Sequence, residues 1–316
     1  MTNPALAENQ DAGGDVGSPT APDDGLNQVA EGRSLTQDAW RDLRRRPLFI
    51  ISAIIILVVV VMAVRPQLFT SVDPNAADLN RSNQGPQDGG VFGYDLQGYS
   101  VYARTIYGAR YSLIVGILAT LFTTLIGMAV GMVAGYGGGF LDSLLSRVGD
   151  VFLGLPFLLG AIVILTTFNR TNSTFVTVTL VISSLTVLGW PVPARVMRSS
   201  VLQAKQNDYV AAARSMGAGV GRIMFKHLLP NALSASLVYA SISLGVFIGA
   251  EATLSYLGVG LQPPVVSWGV MISDAAQQVR NAPHSLFFPA TFLTITVLAF
   301  VMLGDAVREA FDPKLR

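Results

Sequence analysis

The chain contains no cysteine, which excludes disulfides, thiolate catalysis and zinc–thiolate sites. It has only two histidines, His227 and His284, too few for a metal cage built from imidazoles. Charge is scarce as well. Asp, Glu, Lys and Arg make up 13% of the 316 residues, about half the roughly 25% usual in soluble domains. The net charge of +1 gives no electrostatic reason to expect nucleic acid. Lysine occurs only at Lys205, Lys226 and Lys314. None sits in a Gly-x-x-x-x-Gly-Lys-Ser/Thr phosphate loop, so ATP chemistry would have to come from a partner. His-Glu-x-x-His and Gly-x-Ser-x-Gly are also missing, which argues against a membrane enzyme. No catalytic residue and no metal site are expected.

What is present is apolar. Hydrophobic residues make up 51% of the chain, and the mean hydropathy is +0.50. Charge-free runs cover Pro47 to Val64, Tyr111 to Leu141, Val151 to Asn169, Thr171 to Ala194, Leu228 to Ala250 and Asn281 to Gly304. Each approaches or exceeds the ~20 residues needed to cross the hydrocarbon core, so six spans are predicted. A seventh run, Ala252 to Ser273, contains Gly258, Gly260, Pro263, Pro264 and Gly269. A lipid-facing helix broken so often would leave backbone groups unpaired. That run is expected to be a loop or re-entrant segment outside the membrane core.

Positive residues favour the cytoplasmic side. With the N-terminus inside and six spans, 15 of the 21 Lys and Arg residues fall on the inner side. A seventh span would carry the basic C-terminal tail outside. Residues 1–35 have almost no large apolar side chains and are expected to be disordered. About 45 polar residues precede the first span, and no small-x-small cleavage site follows it, so it does not read as a cleaved signal.

The stretch QNDYVAAARSMGAGVGRIMFKHLLPN, Gln206 to Asn231, lies on the cytoplasmic side of this topology. Asn207 or Asp208 is placed to cap a helix. Tyr209 to Met216 gives about two turns, and Gly217 supplies a left-handed stop. Ala211, Ala212 and Ala213 make a thin wall that another surface can approach closely. Gly219 and Gly221 turn the chain into a second amphipathic piece, Arg222 to Leu229, after which Pro230 starts the next span. Such an exposed knob suits helix-in-groove docking. An interfacial helix that only anchors the loop fits the same residues.

Ala211-Ala212-Ala213, three residues, Gly217 and then eleven residues to Leu229-Pro230 is similar to the cytoplasmic EAA loop of ABC importer permeases. Further stretches resemble the C-type permease subunit of dipeptide and oligopeptide importers. They are Tyr107-Gly108-Ala109-Arg110-Tyr111-Ser112-Leu113, Gly135-Tyr136-Gly137-Gly138-Gly139 with Asp142, Arg147 and Asp150, and Trp190-Pro191 with Ala194-Arg195. Leu254-Ser255-Tyr256-Leu257-Gly258-Val259-Gly260 with Trp268-Gly269, and Leu303-Gly304-Asp305 with Asp312-Pro313, complete the set. The resemblance spans roughly residues 40–316. Two departures stand out: Ala211 replaces the Glu that usually opens the loop motif, and Tyr99-Ser100 stand where peptide permeases often show Arg-Asp.

The resemblance implies an all-α membrane protein with the type I ABC importer permease fold, six transmembrane helices and a cytoplasmic coupling-helix loop. It implies a multi-pass protein of the bacterial plasma membrane with both termini cytoplasmic. Its parts would be a cytoplasmic tail 1–46, a first transmembrane helix 47–65, an extracytoplasmic loop 66–106, a five-helix permease domain 107–308 with coupling loop 195–230, and a cytoplasmic tail 309–316. The implied partners are a second (B-type) permease subunit, two ABC ATPase subunits, an extracytoplasmic substrate-binding protein and membrane lipid. ATP and Mg would be bound by the ATPases, with no cofactor in this chain. Di- or oligopeptides are the implied substrate; nickel chelates, glutathione or another small solute stay open.

The same resemblance assigns residues to roles. Tyr209, Val210, Ala211, Ala212, Ala213, Arg214, Met216 and Gly217 would couple to the ATPase. Asp208, His227, Leu229, Pro230 and Asn231 would support that loop. Gly93, Asp95 and Gly98 would meet the substrate-delivering protein. Glu251, with Leu254 and Ser255, would face the pathway near an outer gate; the alternative for Glu251 is wet headgroups at the end of its span. Asp142, Arg147 and Asp150 are expected to fix the turn between the second and third spans, Arg147 and Asp150 being spaced to pair. Trp190 and Trp268 are expected at the membrane boundaries, and Gly116, Gly127, Gly131 and Gly135 suggest close helix packing. A secondary transporter would instead show paired ionisable residues at mid-span or an internal repeat; neither is visible.

Overall fold

The computed structural model describes residues 43–44, 46–86, 90–170 and 173–311. The disorder expected for residues 1–35, and most of the tail 309–316, lie outside the described residues. Among the described residues the protein is helical, with no β-strand and an isolated bridge between Tyr94 and Ser100.

Helix α1 (Pro47–Val64) starts at a proline and reads as almost unbroken aliphatic sequence. It stops at Arg65 because the following Pro66 disfavours helical geometry in the residue before it. Residues 66–86 and 90–100 hold two 3₁₀ turns, Pro66–Leu68 and Leu79–Arg81. Helix α2 (Val101–Gly137) begins at Ser100, whose Oγ accepts from the Ala103 N–H at 3.3 Å. The loop between α1 and α2 therefore ends at residue 100, not at the expected 106, and the second span starts well before Tyr111. Arg104 and Arg110 hid that start, because a charge-free run cannot include them. At 37 residues and 1.5 Å per residue, α2 is about 55 Å long. It projects beyond the ~30 Å hydrocarbon core.

The third and fourth spans are broken. Helices α3 (Gly139–Leu153) and α4 (Phe157–Phe168) meet at 83°. Pro156 causes the break: it donates no N–H and pushes Leu155 out of helical geometry. Helices α5 (Thr174–Gly189) and α6 (Pro191–Ala204) meet at 44°, where Pro191 follows Trp190 and interrupts the helical ladder. The spans expected at Val151–Asn169 and Thr171–Ala194 thus fall on bent pairs whose helices extend beyond those bounds. Helix α7 (Asp208–Ser215) follows. Helix α8 then runs from Val220 to Tyr256, α9 covers Trp268–Ala276 and α10 covers Pro283–Phe311. Four helices (α1, α2, α8 and α10) among the described residues are long and apolar enough to cross a membrane alone, and counting each bent pair as one span gives six.

The segment Ala252–Ser273, expected to be a loop or re-entrant segment, is a helix end, a turn and a returning helix. Helix α8 continues through Tyr256, stops at Gly258 (φ +77°), and returns as α9. Leu261, Val265, Val266 and Trp268 are all buried there.

Small residues set the main helix crossing. A Cβ on Gly127 would stand 2.5 Å from Pro193 Cγ, on Gly131 2.3 Å from Ala194 O, and on Gly135 2.9 Å from Val201 Cγ1. These glycines recur every four residues, so one face of α2 lets the α6 backbone touch it. At the start of α1, Leu43 packs with Ala306 and Ala310 of α10, and Arg46 pairs with Glu309. The beginning of α1 and the end of α10 lie together.

Candidate functional site

Helix α7 is built from local rules. Asn207 takes the N-cap position with extended backbone (φ −77°, ψ 147°), but neither its side chain nor that of Asp208 makes a capping bond. The Asn207 carbonyl does the work, accepting from the N–H groups of Val210 and Ala211. At the other end the Gly217 N–H reaches Arg214 O and the Ala218 N–H reaches Ala213 O, both at 3.0 Å. Gly217 is left-handed (φ +79°), as this paired-bond helix stop requires.

The helix presents two faces. Val210 is buried in one apolar cluster with Met132, Met197, Val201, Ile223 and Leu228, and Ala213 is buried on the same helix, so α7 is seated against the ends of α2, α6 and α8. Tyr209, Ala211, Ala212, Arg214, Met216 and Gly217 face outward, with Met216 82% exposed. Of the eight residues assigned to docking, six are thus available, and Val210 and Ala213 instead hold the helix down.

The supporting residues explain how α7 joins α8. The chain enters α8 at Val220, passes through a π turn at Ile223–Leu228 and continues without a break to Tyr256. Pro230 therefore does not start a new span, as expected from the sequence; it lies inside one. Its missing N–H and its ring disturb the preceding turn, and the wider π turn absorbs that disturbance. Asn231 Nδ2 donates to His227 O at 2.7 Å. The His227 ring lies 6.4 Å from that of Tyr209, linking the π turn to α7.

Ion pairs brace the neighbouring helices. Arg198 Nε and Nη2 of α6 donate to Asp142 Oδ1 and Oδ2 of α3 at 2.5 and 2.6 Å. Arg195 Nη2 donates to Asp150 Oδ1 at 2.5 Å. Asp150 thus pairs across to α6 and not with Arg147. Lys205 Nζ donates to Tyr136 O at 2.7 Å, placing a positive charge at the C-terminal end of α2 where the helix dipole favours it. Neither Arg198 nor Lys205 carries a role in the sequence reading, because their partners Asp142 and Tyr136 lie 56 and 69 residues away in the chain.

The opposite end differs from expectation. Glu251 is fully buried, so it occupies neither wet headgroups nor an open pathway. Its Oε2 accepts from Ser112 Oγ at 3.1 Å, and its Oε1 from Ser255 Oγ at 2.9 Å and Ser267 Oγ at 3.0 Å. Leu254 and Ser255 are enclosed too, so none of the three, expected near the outer gate or pathway, presents a side chain to an open surface of this chain. Trp268 is likewise interior, its indole N–H donating to Thr105 O at 2.9 Å, whereas half-buried Trp190 packs edge-on against Phe152 at the α5–α6 bend.

Gly93 and Gly98 are buried with φ of +74° and +77°. A Cβ on Gly98 would meet Asp78 O at 1.9 Å, and one on Gly93 would meet Gln84 O at 2.5 Å. Both shape the loop from within and offer no surface to a partner. Asp95 accepts from the N–H groups of Gln97 and Tyr99 and pairs with Arg104 Nη1 at 2.9 Å. The Arg104 guanidinium also lies 4.6 Å from the Tyr99 ring centroid. Tyr99 and Ser100 therefore have internal roles: one covers Arg104, the other caps α2. Among the described residues no cluster of His, Asp or Glu could hold a metal ion.

The helical bundle carries a seated, outward-facing helix at one end, and known proteins with matching sequence show which class of protein this is. Residues 127–316 match the family described as binding-protein-dependent transport system inner membrane component. Residues 34–86 match the N-terminal TM domain of oligopeptide transport permease C. The chain belongs to the binding-protein-dependent transport system inner membrane component family: it is a multi-pass inner-membrane permease subunit.

The chain is 41% identical over 284 residues to the dipeptide transport system permease protein DppC of Bacillus subtilis, covering 90% of this chain and 87% of that one. It is 36% identical to the oligopeptide transport system permease protein OppC of the same species, covering 90% and 91%. To the glutathione transport system permease protein GsiD of Pectobacterium atrosepticum it is 35% identical, covering 90% and 93%. Among solved structures, an inward-facing MetNI methionine ABC transporter superposes with a TM-score of 0.54 at 24% identity, covering 66% of this chain and 96% of that chain. That likeness establishes the type I importer permease fold.

Proposed function

We propose that this chain forms half of the translocation pathway of an ATP-driven importer for di- or oligopeptides and couples it to cytoplasmic ATPases through α7. The observation that carries this is the seated helix: Tyr209 and Met216 face outward while Val210 packs into the bundle's apolar cluster and Ala213 is buried. The second half of the pathway is a B-type permease. Two ABC ATPase subunits bind ATP and Mg, and an extracytoplasmic binding protein delivers the substrate. Relatives named for dipeptide and oligopeptide transport, at 41% and 36% identity, support the substrate class.

The orientation places α7 and both termini in the cytoplasm. The excess of Lys and Arg on that side supports it, as does the meeting of Leu43 with Ala306 and Ala310, which requires an even number of crossings. ATP-driven closure of the partners would draw the docked helices together and shift the spans between inward and outward openings.

The test is uptake by proteoliposomes holding the two permeases and the ATPases, with the binding protein added. ATP-dependent accumulation of labelled dialanine or a longer alanine peptide, above that of glutathione, supports the assignment. Preferential accumulation of glutathione would move the chain to that substrate, and ATP-independent uptake would remove it from this class of transporter.

A further inference from the structure

Glu251 has no part in the coupling site, yet it is the most completely enclosed acid among the described residues, with no exposed surface. No arginine or lysine pairs with it there. Three serine hydroxyls serve it instead, and each is itself held by a backbone N–H. Ser112 Oγ accepts from the Trp268 N–H at 3.3 Å, Ser255 Oγ from the Leu261 N–H at 3.0 Å, and Ser267 Oγ from the Val270 N–H at 3.2 Å. Each relay therefore runs from backbone N–H to hydroxyl to carboxylate. Together they gather α2, α8, the 257–267 segment and the start of α9 around one side chain.

The packing around this knot leaves no slack. A Cβ on Gly269 would stand 2.6 Å from Ala252 Cα, and one on Gly260 2.5 Å from the Ser255 N. The backbones of α9 and the 257–267 segment thus touch α8 directly. Helix α8 is continuous from Val220, beside the docking helix, to Tyr256. Val220 and Glu251 are consequently about 45 Å apart along one rod.

The geometry points to Glu251 as a positioning residue that clamps segment 257–276 to the far end of α8, so that displacement at α7 is delivered to the outer segment as movement of a single body. This rests on the proposed docking of α7 to an ATPase. The clamp works through accepted hydrogen bonds, which the amide of glutamine can largely reproduce. Its oxygen can accept from Ser255 and Ser267 while its NH₂ donates to Ser112 Oγ. Leucine leaves all three hydroxyls without their acceptor.

The experiment uses the complete importer in proteoliposomes, with spin labels at Leu237→Cys on α8 and Gln277→Cys just after α9. The clamp requires the same narrow distance distribution without nucleotide and with ATP trapped by vanadate. In Glu251→Leu that distribution should broaden, and dialanine moved per ATP hydrolysed should fall about tenfold, within the range of ordinary coupling energies. Glu251→Gln should keep the narrow distribution and most of the coupling. If Glu251→Leu does not assemble, Ser267→Ala, which removes one relay, is measured in the same way and should give an intermediate loss.

A narrow distribution with undiminished coupling in Glu251→Leu or Ser267→Ala would overturn the clamp. So would a Glu251→Gln variant as defective as Glu251→Leu. The distance measurement does not need a transported substrate. A wild-type importer that moves no dialanine but shows the nucleotide-independent distance would refute the peptide assignment and leave the clamp standing.

Discussion

Gly131 of α2 lies so close to Ala194 of α6 that an added methyl group would stand 2.3 Å from the Ala194 carbonyl oxygen. A backbone oxygen inside a helix cannot yield as a side-chain tip can, so Gly131→Ala must push the two helices apart. Overpacking of this kind costs about 1–3 kcal/mol. Gly219→Ala meets nothing within 4 Å and keeps an ordinary backbone (φ −68°), so it should change stability little. Thermal unfolding of the detergent-solubilised variants, followed by size-exclusion chromatography, should rank Gly131→Ala well below Gly219→Ala.

Gly217 isolates the backbone effect from packing. A side chain there meets nothing within 4 Å, but φ is +79°. Gly217→Val should therefore cost on the order of 1–2 kcal/mol through the left-handed geometry alone, and Gly217→Asn less, because Asn tolerates that region. Binding-protein-stimulated ATPase activity of the complex should fall in the order Gly, Asn, Val while membrane insertion persists. Normal stimulation in Gly217→Val would show that the stop is not needed for docking.

These two glycines show what the sequence could reveal. The Gly217 stop and the cationic, alanine-rich turn around it follow from neighbours in the chain, so both were legible. The spacing of Gly127, Gly131 and Gly135 disclosed a close-packing face but not its partner. Long-range pairing was hidden: Arg198 and Asp142 are 56 residues apart, and Ser112 and Glu251 are 139 apart. Hydropathy also misplaced span ends. A charge-free run stops at Arg104 and Arg110 although the helix does not, because Arg104 is neutralised by Asp95 and Arg110 Nε donates to Ala63 O. Trp268 reads as a boundary anchor until its N–H finds Thr105 O inside the bundle.

The proposed topology makes opposite ends chemically distinct in a chain with no native cysteine. Gly85 is exposed on the loop between α1 and α2, and Val220 is 55% exposed at the start of α8. An impermeant thiol reagent added to intact cells should label Gly85→Cys and leave Val220→Cys unlabelled until the cells are opened. The reverse pattern would invert the orientation.

Asp274 of α9 supplies a pH dependence. Burial pushes its carboxyl above the ordinary aspartate range, Arg104 pulls it partly back, and Asp95 adds to the rise. A carboxyl raised on folding is ionised at a cost to the native state, and that cost disappears as the pH falls through the raised value towards the unfolded one. Asp274→Asn should therefore raise the melting temperature at neutral pH, with the gain shrinking to nothing as the pH approaches the unfolded-state value. A gain that persists unchanged in acid would assign the effect to packing instead of ionisation.

The central claim is that α7 is the joint with the ATPase, and that shape holds it where Ala211 replaces the usual carboxylate. Tyr209 is 39% exposed and Met216 82%, so both have apolar surface left to bury. Burying a large apolar side chain contributes roughly 1.5–3 kcal/mol, whereas an ion pair of Arg214 at the wet rim contributes about 0–1 kcal/mol. Pull-down of the ATPase subunits by wild type, Tyr209→Ala and Arg214→Ala, at low and high salt, tests this directly. The account predicts that Tyr209→Ala loses far more ATPase than Arg214→Ala and that salt changes either result little. Greater loss in Arg214→Ala, or release of the wild-type complex by salt, would contradict it.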